Sequence, residues 1–373
     1  MASPVTRAVS VFVLAACDAT TAGTGDPLPN AELVAETVAT GLDTVWELAW
    51  GPDGTIWLTE RGGRISRLNP QTGSLAVAAQ LQVAEVGEGG LMGLAFHPDF
   101  ATNPWVYVAH TYSAGGTRNR VVRMRFDGSA LGAPEVILAD IPGSSIHNGS
   151  RLAVGPDRFL YVTTGDASDA AIAQNRDALA GKVLRLALDG QPAPGNPFGT
   201  RIWSYGHRNP QGLAFAPDGS LYVTEHGPSD NDEVNRIESG RNHGWPNVHG
   251  RCDSDIGAGE LSFCAANNVA EPMAIWTPTI APAGLAYYDS GLIPQFRRSL
   301  IFATLKDATL FRLALSQDGR SVTATETMFE RDFGRLRAVL VSPDGSIYVG
   351  TSNRDGRGSP MPTDDRIIRI RPR

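Results

Sequence analysis

Short apolar runs alternate with polar ones along most of the chain, and one arrangement recurs. A Gly-Leu-Ala or similar apolar triplet leads into Pro-Asp-Gly, then an aromatic-rich strand, then a more polar strand. The copies are 47–60 (ELAWGPDGTIWLTE), 93–100 (GLAFHPDF) leading into Trp105–Ala109, 151–157 (RLAVGPD), 212–225 (GLAFAPDGSLYVTE), 284–289 (GLAYYD) running to Leu300–Thr304, and 338–350 (AVLVSPDGSIYVG). Each copy ends in an Arg-rich strand, such as Arg64–Leu68, Lys182–Leu186 or Arg366–Ile370, expected on the outside of its unit. Pro presets φ in the turn and Gly takes its positive-φ position. Six repeats of four strands, spaced by tens of residues, predict an all-β fold, a six-bladed β-propeller with four-stranded blades. The early run 31–39 (AELVAETVA) is expected to pair with the last copy and close the ring, removing exposed edges.

Composition agrees. Gly 41 and Pro 25 in 373 residues suit a turn-rich β chain. Lys+Arg 32 against Asp+Glu 39, a net charge of −7, argues against a nucleic-acid partner. The first residues read as an export signal: Arg7 as positive n-region, Ala8–Ala16 as a short apolar core, and Leu14-Ala-Ala-Cys17 as a lipobox-like site. This divides the chain into a lipoprotein-type signal (1–17), a flexible tether (18–30) and the propeller (31–373), with lipidation at Cys17 favoured over an incidental cysteine. The expected location is periplasmic or cell-surface, membrane-attached only through that anchor. Cys252 and Cys264, an even pair in an exported chain, are expected to close a surface loop by a disulfide.

Candidate chemistry lies in loops between the repeats. His147 and Asp166 flank a predicted hairpin (Arg151–Val154, turn, Phe159–Thr163) that would return the chain to its starting end. A carboxylate accepting the proton on one ring nitrogen leaves the other free as a base; on these residues alone a hydrogen-bonded loop histidine is the commoner outcome. The run 87–93 (GEGGLMG) misses the GxGxxG spacing, and is either a loop needing flexible backbone or a backbone approach to a flat ligand. Arg208 and Asn209 precede the fourth repeat in a setting that suits anion recognition. The loop 225–233 (EHGPSDNDE) offers carbonyls and carboxylates of the kind calcium takes, or is a solvated acidic loop. Lys306, Arg335 and Arg337 stand at strand ends. Scattered, they are ordinary surface charges; converging with Arg208, they make an anion site in an acidic protein.

His147 with Arg151-Leu, 206–212 (GHRNPQG), 225–228 (EHGP), 242–246 (NHGWP) and 278–282 (PTIAP) together resemble the soluble quinoprotein glucose/sorbosone dehydrogenases, on the aldose sugar dehydrogenase side, from about Leu42 to the C-terminus. The resemblance implies pyrroloquinoline quinone (PQQ) and Ca2+ as cofactors and oxidation of an aldose to its lactone, with an external electron acceptor. It implies His147 as base, Asp166 as its orienting group and Arg208 as the residue polarising the quinone carbonyl. Glu88, Asn209, Lys306, Arg335 and Arg337 would bind the cofactor, and the carbonyls of Gly227 and Pro228 would hold its calcium. A second calcium would use Asp253 and Glu271 with carbonyls near His249 and Arg251. Glu88 departs from the glutamine of well-known members, and the inter-blade loops are shorter; a monomer of broad aldose range is expected. The competing readings are a calcium-dependent propeller lactonase or esterase, and a non-enzymatic binding propeller.

Overall fold

A computed structural model describes residues 7–8, 30–254 and 256–373. Residues 1–6 and 9–29, which carry Cys17 and nearly all of the expected signal and tether, lie outside this range. The chain forms six antiparallel sheets arranged as a β-propeller. From the axis outwards, blade 1 is Val45–Trp50, Ile56–Glu60, Arg64–Leu68 and Leu75–Gln80. Blade 3, which carries the candidate base, is Gly149–Val154, Leu160–Thr164, Lys182–Leu186 and Ile202–Tyr205. Blade 4 is Pro210–Phe215, Leu221–Glu225, Asp232–Ile237 and Ala274–Trp276. Blade 6 is Leu336–Val341, Ile347–Thr351 and Ile367–Pro372, completed by Leu33–Ala39 from the other end of the chain. That strand runs antiparallel to Ile367–Pro372, with Leu33 opposite Pro372 and Ala35 opposite Ile370, so the expected closure is observed. A two-residue strand, Arg7–Ala8, pairs with its outer edge.

The Pro-Asp-Gly turns are built alike. Gly54, Gly219 and Gly345 have φ of 76°, 87° and 88°, and the preceding aspartate accepts the backbone N–H two residues on, as in Asp218 Oδ1 with Ser220 N at 2.9 Å. The Arg-rich strands, expected outermost, are third in each blade. They reach back to the turn aspartates: Arg67 pairs with Asp53 at 3.2 Å and Arg185 with Asp157 at 2.8 Å. A third-strand arginine can do this because it lies beside the strand that leaves the turn; a fourth strand would be one strand spacing further away.

Apolar side chains form six wedges, one between each pair of neighbouring blades. Between blades 1 and 2, Trp57 meets Phe96 and Phe126 edge-on at 5.5 and 5.0 Å. Between blades 5 and 6, Leu33 packs with Tyr288, Ile301 and Ile347. Along the axis, Glu47 and Arg151 form a buried ion pair at 2.6 Å, with the Arg151 guanidinium 4.1 Å from the Trp46 ring centroid. The equivalent repeat positions are Gly93, Gly212, Gly284 and Ala338, so only this pair fills the channel at that level.

A second buried cation secures the segment after the blade 3 hairpin. Lys182 is fully buried, and its Nζ donates to the carbonyls of Ile172, Ala173 and Ala180 at 3.0, 3.0 and 2.6 Å. Burial lowers its ammonium from 10.5 to about 7. The unfolded chain therefore binds the extra proton between about pH 7 and 10, and this group makes stability rise with pH in that window. Lys182→Met should remove the rise: the wild-type minus variant unfolding free energy should climb by up to about 1.4 kcal/mol per pH unit across the window. Parallel pH profiles would contradict this. For ring closure, Leu33→Ala should cost about 3 kcal/mol in urea unfolding. The control Leu75→Ala, at a position 41 % exposed, should cost under about 0.5 kcal/mol. Equal losses would deny the closing strand its role.

Candidate active site

The hairpin Gly149–Val154/Leu160–Thr164 brings its two ends together, with Gly149 opposite Thr164. His147 sits just before it at φ +60°, and Asp166 just after it. The backbones touch: a Cβ on Gly165 would lie 2.0 Å from the His147 carbonyl oxygen, so only glycine permits this approach. His147 Nδ1 is then 2.8 Å from Asp166 Oδ1. The buried carboxylate is fixed by two further donors, Ser168 N to Oδ1 at 2.8 Å and Trp245 Nε1 to Oδ2 at 2.9 Å. A carboxylate held this way keeps the imidazole proton on Nδ1 and leaves Nε2 as the base.

Arg208 joins this group through both backbone and side chain. Its carbonyl accepts from Asp166 N at 2.8 Å, and its N–H donates to the Glu225 carboxylate. The guanidinium lies 5.3 Å from the Trp245 ring centroid and donates Nη1 to the His226 carbonyl at 3.3 Å; its Nε is buried without a partner. Beneath it, His207 Nδ1 and Glu225 Oε2 are 2.9 Å apart, and burial pushes the pair towards its neutral form, His207 down to about 3 and Glu225 up to about 8.

Two cavities meet at this surface. One, of about 200 Å³, is lined by His147, Arg208, Gly227, Pro228, Asp232 and Thr279 among others. The other, of about 170 Å³, holds Arg61, Arg335, Arg337 and Arg357 with the carboxylates of Glu88 and Asp355. Glu88, His226 and Arg357 line both. Arg335 Nε donates to Asp355 at 2.9 Å; Arg337 donates Nε to Ser352 and Nη1 to Gln211 at 3.1 and 3.3 Å. Burial lowers Arg337 only to about 10, so it stays charged at neutral pH. Burial raises the Asp355 carboxyl, but Arg335 and Arg337 outweigh it and hold it below the usual range. Glu88 behaves likewise: burial is opposed by His226, Arg357 and Arg337, and the net shift is downwards.

The structure thus brings His147, Arg208, Glu88, Arg335, Arg337, Gly227 and Pro228 to one concave surface, with Asp166 buried behind His147. Lys306 is exposed and reaches it only through Thr279 Oγ1, 2.5 Å from its Nζ. Asn209, expected to touch a cofactor, is fully buried and lines neither cavity. Its Oδ1 accepts from Gly149 N and Gln211 Nε2 at 3.2 and 3.0 Å, tying blade 3 to blade 4. Gly87 also has a structural reason: at φ +60°, a Cβ there would lie 2.1 Å from the Ser145 carbonyl oxygen.

At the expected second calcium set, Arg251 Nη1 reaches the Glu271 carboxylate at 3.4 Å. Among the described residues no group of three or more His, Cys, Asp or Glu side chains could hold a metal ion. The His249 ring stacks on Trp245 at 5.0 Å, and Cys252 and Cys264 are disulfide-bonded. At Gly227 and Pro228 the loop is pinned by Asp232, whose Oδ1 accepts from Gly227 N and whose Oδ2 accepts from Ile280 N and Ala281 N, each at 2.7 Å. Sequence reasoning missed Trp245, His226, Asp355 and Arg357 as parts of the site. Arg357 follows an Asp-Gly pair in a stretch with no repeat signal, and only the fold brings it to Glu88, 269 positions away.

The sequence profile of the family described as Glucose / Sorbosone dehydrogenase matches residues 42–368. Quinoprotein glucose dehydrogenase B of Acinetobacter calcoaceticus is 32% identical, over 84% of this chain and 84% of that protein. Aldose sugar dehydrogenase YliI of Escherichia coli is 31% identical, over 84% and 89%. The PQQ-bound structure of aldose sugar dehydrogenase from Streptomyces coelicolor is 38% identical, covers 92% of this chain and 99% of its own, and superposes with a TM-score of 0.80. The chain belongs to the glucose/sorbosone dehydrogenase family and is a sugar dehydrogenase.

Proposed function

We propose that this protein is a PQQ-dependent aldose dehydrogenase that oxidises the anomeric carbon of a sugar and releases the lactone. The observation that carries the reading is the joining of an arginine-lined cavity to one containing the His147–Asp166 pair, in a protein of net charge −7. PQQ is a tricarboxylate. Arg335 and Arg337, with Lys306 at the rim, suit its carboxylates, and the buried, unpartnered Nε of Arg208 suits a quinone oxygen. Gly227 and Pro228 offer backbone carbonyls, hard oxygen donors that would hold a Ca2+.

When bound, PQQ supplies the acceptor for the two electrons and the hydrogen that leave C1 of the sugar. His147 takes the proton of the anomeric hydroxyl on Nε2, while Asp166 holds the Nδ1 proton and stabilises the imidazolium that results. Arg208 stabilises negative charge that develops beside it, in a site where partial burial strengthens each charge interaction. His147 afterwards returns its proton to solvent through the open side of the cavity. The lactonase or esterase reading calls for channel carboxylates and amides around a bare calcium; arginines dominate here. The proposal extends to export, lipid attachment at Cys17, a monomeric state and an external electron acceptor.

The test is reconstitution of purified apo-protein with PQQ and Ca2+, followed by dye reduction with a panel of aldoses. Cofactor binding should appear in the absorbance spectrum and activity should need both additions. His147→Ala should lower kcat by about 10²- to 10⁴-fold with PQQ binding retained. Asp166→Asn should lower it comparably by reversing the favoured imidazole tautomer. A wild-type protein that neither binds PQQ nor oxidises any aldose would sink the proposal.

A further inference from the structure

Two of the three residues that line both cavities form an ion pair with each other. Arg357 Nη1 is 2.7 Å from Glu88 Oε1, and the two side chains are 59% and 22% exposed. The other Glu88 oxygen accepts, weakly, from the backbone N–H of His147 at 3.4 Å, so the pair touches the loop that carries the base. Arg357 is also held from its own side: its N–H donates to Asp355 Oδ1 at 2.9 Å, and Arg61 Nη1 donates to the Asp355 carbonyl at 3.2 Å. The loop is thereby anchored to the arginine wall while the Arg357 side chain extends across the boundary between the cavities.

The remaining site cations have other engagements. Arg335 and Arg337 face Asp355, and Arg208 lies over Trp245. Arg357 commits one of its five N–H donors to Glu88, and much of its guanidinium faces the opening. Glu88 and Arg357 side by side present an ionised acceptor next to a planar set of donors. Neighbouring hydroxyls of a pyranose ring match that pattern, because each hydroxyl both donates and accepts.

We propose that the Glu88–Arg357 pair reads adjacent hydroxyls of the aldose, and that Arg357 is a specificity-determining residue of the sugar compartment. The inference rests on the dehydrogenase reading above and adds to it the part of the substrate that is recognised. A site arranged to hydrogen-bond a hydroxyl rejects a sugar that lacks it or turns it away, since the protein's polar groups are then left unpaired. Arg357 is mostly exposed, outside the apolar wedges, so its truncation spares the fold.

The experiment uses the full chain loaded with PQQ and Ca2+. Wild type, Arg357→Ala and Arg357→Lys are compared on glucose, 2-deoxyglucose, mannose, galactose and xylose, and PQQ affinity is titrated separately by absorbance. Arg357→Ala should raise KM for the best sugar about tenfold and shrink the spread of kcat/KM across the panel by a similar factor. PQQ affinity should stay within about threefold, as for a residue that contacts sugar rather than cofactor. Arg357→Lys, which keeps the charge but loses the planar fork, should fall between. An unchanged spread overturns the inference, as does a loss of PQQ affinity that accounts for the KM change. Both of those results leave the dehydrogenase reading standing, whereas wild type that fails to bind PQQ or oxidise any aldose removes both.

Discussion

Closure of the ring is the constraint on which the rest depends. Six blades can bury their faces only against one another, and the apolar wedges exist only if the last blade meets the first. Leu33–Ala39 supplies the fourth strand of blade 6 from the opposite end of the chain, and Leu33 packs into the wedge between blades 5 and 6. The His147–Asp166 pair, the arginine wall and the Gly227–Pro228 loop come from different blades. Their separations are therefore fixed by the angles between blades, and those angles are fixed by closure.

Electrostatics at the site go against the protein's overall charge. The chain is acidic, yet one cavity gathers four arginines around two carboxylates. Burial raises both carboxyls, and His226 with Arg357 and Arg337 at Glu88, and Arg335 with Arg337 at Asp355, more than reverse it. The surplus positive charge is tolerable because the cavity is open to water and because Asp355 bridges Arg335 and Arg337. A polyanionic ligand would add favourable interactions without the cost of first ordering its partners.

The fold was readable because the repeat signals are local: three turns are Pro-Asp-Gly, each with its own positive-φ glycine and aspartate cap, Arg158 takes that position at φ +67° in blade 3, and the spacing of all six copies counts the blades. The order of strands within a blade was less readable. Arg67 and Arg185 look like solvent-facing outer-strand residues until their pairing with turn aspartates is seen. His147 and Asp166 could be matched because a short hairpin joins them. Arg357 could not, since its partner lies on the far side of the ring in sequence. Asn209 could not be placed from its sequence neighbourhood either: its Oδ1 ties blade 3 to blade 4, while its Nδ2 is buried without a partner. The Asp253 and Glu271 assignment rests on the resemblance alone.

The contact between Gly165 and His147 gives the His147–Asp166 pair an unusual determinant. The hydrogen bond between imidazole and carboxylate is positioned by a methyl group that is not there: two stretches of main chain meet at a distance that any side-chain carbon would forbid. Position 165 thus acts through an empty volume, and a search for site residues by functional groups alone would pass over it.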